Sequence, residues 1–104
     1  MKKKFIVKEN KEFQKVINNG ICRKNKSFVI YSLENELSYN KYGISVSKKH
    51  GNAVFRNKYK RKIRSIIDNC KKDYNNGKDY IIILRRGAIG KSFEELKKDY
   101  LQLI

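Results

Sequence analysis

Apolar residues along this chain recur with two different periods, and the switches between them mark out six elements. Phe13, Val16 and Ile17 fall at i, i+3 and i+4 behind Asn10, a candidate helix cap, and Gly20 suits the stop, so a first helix is predicted there. Ser27 to Leu33 is rich in Phe, Val, Ile and Tyr, and Tyr42 to Ser47 alternates Ile44 and Val46 against Gly43, Ser45 and Ser47. These read as two antiparallel strands joined by the polar connection Glu34 to Lys41. From Asn52 to Lys72 the period returns to helical, with Phe55, Tyr59, Ile63, Ile66, Ile67 and Cys70 on one arc of about 120°. Asn75, Asn76 and Gly77 close that helix.

Asp79 to Leu84 is a nearly unbroken apolar run, as expected of a central strand buried on both faces. Ser92 and Glu95 frame a capping box that opens a terminal helix carrying Phe93, Leu96, Tyr100 and Leu103 on one side. The predicted order is α-β-β-α-β-α, an α+β fold in a single two-layer domain spanning residues 1–104. The Ile81-Ile82-Ile83 run argues against a helical bundle, and the shortage of βαβ units against a doubly wound sheet.

Charge then redirects attention from fold to partner. Twenty-six Lys and Arg against ten Asp and Glu leave a net charge of +16, which calls for a polyanion. The 39% hydrophobic content is too high for a disordered basic tail. Tyr80 to Leu84 is far short of the roughly 18 apolar residues of a membrane span, and the start lacks a secretory apolar region, so a cytoplasmic protein without membrane contact is expected. Cys22 and Cys70 are isolated, with no Cys-x-x-Cys, and are expected to be reduced packing residues.

Lys outnumbers Arg twenty to six, a bias an AT-rich genome would produce by itself, so placement says more than number. Leu37 to Ile67 holds nine Lys or Arg and no Asp or Glu. Within it, Arg56, Lys60 and Arg64 form one helical row about 12 Å long, with Asn57 and Arg61 beside it. Three of the six Arg sit here, where a planar guanidinium grips phosphate by two bonds. The segment is read as a nucleic-acid contact, against the plainer alternative of a soluble surface.

Other apparent motifs carry no chemistry. Gly90-Lys91-Ser92 has Arg85 where a phosphate-binding loop needs its first Gly, and Gly87 to Gly90 follows a strand, so both are read as a turn. His50 is the single His, read as a loop residue, and the ten acids are scattered, which leaves no catalytic pair and no metal cluster. Phe13, Ile17, Phe28 and Tyr31 could be core or, if one or two are exposed, a platform on which bases stack.

The stretch Gly43-Ile44-Ser45-Val46-Ser47-Lys48-Lys49, then Gly51 to Val54 and Arg56-Asn57-Lys58-Tyr59-Lys60-Arg61-Lys62-Ile63-Arg64, resembles the signature of the bacterial ribonuclease P protein subunit. The likeness extends to Phe13-Gln14-Lys15-Val16, Phe28 to Tyr31 and Asp79 to Arg86, with Lys58 where the family usually has Arg. It implies a small mixed sheet packed by helices, with a left-handed crossover between parallel strands. It also implies that a catalytic RNA removes the 5′ leader from precursor tRNA, with Mg²⁺ held mainly by RNA and no organic cofactor, and that the protein itself has no catalytic or metal-binding residue.

By that resemblance Arg56, Asn57, Lys58, Lys60, Arg61 and Arg64 face the catalytic RNA. Phe13, Ile17, Val29, Tyr31, Ser47 and Lys48, with Arg85 and Arg86, face the leader of precursor tRNA. Two alternatives stand beside this reading: a small ribosomal or translation-associated RNA-binding protein, and a free-standing nuclease, which the lack of paired His or carboxylates disfavours.

Overall fold

A computed structural model describes residues 3–70 and 77–104. Three helices, α1 (Asn10–Asn19), α2 (Ala53–Cys70) and α3 (Phe93–Leu101), surround four strands, β1 (Ile21–Lys24), β2 (Phe28–Glu34), β3 (Lys41–Ser45) and β4 (Lys78–Leu84). The α+β class follows the pattern, and the sheet is mixed, as the resemblance implies. Lys71 to Asn76, where the end of the long helix was expected, lie outside the described residues.

The sheet order is β1-β2-β4-β3. β2 runs antiparallel to both β1 and β4, whereas β3 runs parallel to β4, from Lys41 opposite Asp79 to Ser45 opposite Ile83. The two strands expected as a joined antiparallel pair are therefore not neighbours, because β4 lies between them. Chain order suggests a hairpin, but β4 has apolar residues for both faces and takes the interior position. β1 was not anticipated: all four of its residues are exposed, so no apolar alternation announces it.

Alternation along β4 sends Tyr80, Ile82 and Leu84 to one face, where they meet Ile63, Ile66 and Ile67 of α2 and Leu96 and Tyr100 of α3. Burying each Ile or Leu side chain of this core contributes roughly 1.5 to 3 kcal/mol. Ile81 and Ile83 point to the opposite face, which α1 covers through Val16 and Phe13. This short helix adds a third layer, one that contact with Val7, Tyr31 and Leu33 holds in place.

Two helix ends differ from expectation. Asn10 is the first residue of α1; Glu9 occupies the cap position and makes no side-chain cap bond. Gly20 does end α1, but its backbone is extended, and it is needed for close approach: a Cβ there would sit 2.5 Å from the Val16 carbonyl oxygen and 2.6 Å from that of Ser32. The capping box at Ser92 and Glu95 is present as expected. Cys70 is buried, but Cys22, expected to pack, is exposed on β1.

Candidate nucleic-acid interface

The basic helix is held in a fixed orientation. Asn52 caps α2 by accepting the Phe55 amide at 3.0 Å. Tyr59, Ile63, Ile66, Ile67 and Cys70 are buried, and the Tyr59 hydroxyl accepts the Gly90 amide at 3.1 Å, tying α2 to the turn before α3. Asn57, Lys58, Arg61 and Arg64 are exposed as a consequence. Arg56 is half-buried, and its Nε is buried with no hydrogen-bond partner. Lys60 turns toward α1 and lines a pocket with Phe13 and Ile17. The row read from helical spacing thus divides between an outer face and a cleft.

That cleft lies on the α1 side of the sheet. One pocket of about 350 Å³ has Phe13, Ile17, Ile81 and Ile83 as its apolar lining and Lys60, Gln14 and Ser45 as polar groups. A second, of about 500 Å³, meets it at Ile83 and is lined by Val29, Ser47, Lys49, His50, Arg85 and Arg86. Phe13 can lie across the sheet because Gly43 is beneath it: a Cβ at Gly43 would come within 2.6 Å of Phe13 Cζ.

Of the positions singled out on the leader side, Phe13 and Ile17 line the first pocket, and Val29, Ser47, Arg85 and Arg86 the second. Tyr31 is half-buried on the same sheet face, packed against the cluster of Val16 and Ile81. A hydrogen bond with Cys22, its cross-strand neighbour, raises the Tyr31 hydroxyl above the usual phenol range. Lys48 is exposed and lines neither pocket. Phe28, left open between core and platform, is wholly buried.

Lys49 and His50 line the second pocket although neither stands among the expected site residues: Lys49 adjoins the expected Lys48, and His50 reads from the sequence as a loop residue. A short 3₁₀ turn, Lys48–His50, capped by Ser47 accepting the Lys49 amide at 3.3 Å, brings both to the pocket.

Arg85 is anchored at the rim. Its backbone amide donates to the Ser27 carbonyl at 2.9 Å, and its guanidinium to the Asn25 carbonyl at 2.7 Å. The turn carrying those carbonyls is itself held to α3: Asn25 Nδ2 donates to the Asp99 carbonyl at 2.9 Å, and buried Ser27 donates its hydroxyl to the Asp99 carboxylate. Lys91 pairs with that carboxylate at 2.7 Å, and it, followed by Ser27, holds Asp99 below the usual carboxylate range.

An apolar, aromatic floor with a cationic rim suits single-stranded nucleic acid, since bases stack on the floor and phosphates meet the rim. The exposed face of α2 suits a phosphate backbone approached from outside. Among the described residues, no three His, Cys, Asp or Glu side chains gather into a metal site.

The family model described as Ribonuclease P matches residues 1–104. A Bacillus cereus protein named Ribonuclease P protein component is 45% identical over 104 residues, covering 99% of this chain and 90% of that one. The solved RNase P protein of Staphylococcus aureus superimposes with a TM-score of 0.86 at 36% identity, over 95% of this chain and 91% of that one. That of Thermotoga maritima gives 0.86 at 27% identity, over 92% and 91%.

Proposed function

The chain belongs to the ribonuclease P protein family, and from that premise we propose that α2 docks on the catalytic RNA while the cleft beside α1 holds the 5′ leader of precursor tRNA. It is an RNA-binding subunit of an endoribonuclease that acts in tRNA 5′-end processing. The observation that carries the assignment of the two surfaces is their separation. Phe13 and Ile17 form an apolar floor edged by Lys60, Lys49, Arg85 and Arg86, whereas Lys58, Arg61 and Arg64 are exposed on α2 and line neither pocket.

Hydrolysis of the leader phosphodiester belongs, in this reading, to the RNA, which also holds the Mg²⁺. The protein's part is electrostatic. A net charge of +16 offsets the repulsion between the phosphates of substrate and ribozyme, which would otherwise call for more divalent cation. No described helix is long and apolar enough to cross a membrane, and the site of action we infer is the cytoplasm.

The test is cleavage of precursor tRNA by a bacterial ribonuclease P RNA over a Mg²⁺ series, with and without this protein. The protein alone should be inert, and protein plus RNA should cleave at lower Mg²⁺ than RNA alone. Cleavage by RNA-free protein that a point substitution abolishes would overturn the division of labour.

A further inference from the structure

His50, the single histidine, carries no assigned role so far, yet it stands half-buried in the wall of the second pocket. The 3₁₀ turn fixes its position: the His50 amide donates to the Ser47 carbonyl at 3.1 Å, and the next residues are tied to α2 by the Asn52 cap. Arg85 and Arg86, which follow β4, line the same pocket, and Lys49 stands beside it on its own turn. Ser47 adds a hydroxyl, Val29 and Ile83 give apolar floor, and none of the lining residues is acidic. Among the described residues its ring has no hydrogen-bond partner. A ring with free nitrogens among three permanent cations, in a pocket of about 500 Å³, has the chemistry of an anion site.

We propose that the His50 ring contacts a phosphate of the leader, and that this contact makes leader binding depend on pH. The inference rests on the leader reading of the cleft and adds to it a named contact and a mode of regulation. Histidine is the side chain whose charge changes between about pH 5 and 8. Its protonated ring offers two N–H donors and a positive charge to a phosphate, and its neutral ring offers one donor and no charge. Binding therefore takes up protons at this site, and by linkage affinity for leader-bearing RNA rises as pH falls. Lysine and arginine side chains ordinarily stay charged throughout that range, so a slope within it points to the histidine.

The experiment uses the full chain reconstituted with a bacterial ribonuclease P RNA. Affinity is measured for precursor tRNA with a leader and for the same tRNA without one, at about pH 6 and about pH 8 and constant ionic strength. The ratio of the two affinities isolates the leader. In the wild-type chain that ratio should rise about tenfold on acidification, the factor carried by one charge-assisted hydrogen bond. His50→Gln should give a low ratio that is flat with pH, and His50→Lys a high ratio that is also flat. A wild-type ratio above one but flat with pH would overturn the role of His50 and leave the leader cleft standing, as would a His50→Gln chain that keeps the slope. A ratio of one at both pH values would overturn the cleft reading and this inference together.

Discussion

Replacing Phe13 by Ala removes the largest apolar side chain from the floor of the proposed leader cleft, and two losses should follow. Phe13 is half-buried, resting over Gly43 and against Val16 and Ile81. Truncating a fully buried Phe costs about 3 to 5 kcal/mol, so a half-buried one should cost about half of that, about 1.5 to 2.5 kcal/mol. For a domain of this length that lowers the melting temperature by about 6 to 20 °C.

The exposed part of the ring is what a base would stack on, worth about 1 to 3 kcal/mol, or about 5- to 150-fold in leader affinity. Phe13→Leu separates the two effects, because it retains most of the apolar volume but not the flat ring. Melting should recover largely in Phe13→Leu, while the loss of affinity for leader-bearing precursor persists and leaderless tRNA binds as to wild type. If Phe13→Ala weakened both RNAs equally, or if Leu restored leader affinity along with the melting temperature, stacking would be refuted and the ring would be packing alone.

Arg61→Ala and Arg64→Ala should leave stability within about 0.5 kcal/mol of wild type, since both side chains are exposed, while each lowers the salt slope of catalytic-RNA binding by about 0.7 to 0.9. Unchanged slopes in a salt titration of both variants would remove α2 from that interface. Asp99 supplies a pH test of the brace beneath Arg85. Its carboxylate is held below the usual range by Lys91 and Ser27, so its stabilisation is complete above the unfolded value of about 4 and fades as pH falls through the lower folded value. Asp99→Asn should therefore melt below wild type at about pH 7, and the gap should close on acidification toward about pH 3. A gap that persists unchanged there would place the stabilisation elsewhere than in the carboxylate's charge.

Local signals determined much of this protein. The period of Phe55 to Cys70 set the long helix and its outward cations, the Ile run marked an interior strand, and Ser92 with Glu95 marked the start of α3, because each depends on residues within one or two turns of one another. The motif from Gly43 to Arg64 was legible as a resemblance for the same reason, being contiguous. What the tertiary structure decided is pairing over distance. That β4 inserts between β2 and β3, that exposed β1 joins the sheet at all, and that α1 lies across the other face depend on contacts between segments far apart in the chain, which no period records. The cleft has the same origin. Lys60 follows the period of α2 but reaches Phe13 only because the sheet brings α1 alongside, and His50 meets Arg85 and Arg86 only because β3 and β4 run parallel, which puts the residues that follow them at one end of the sheet.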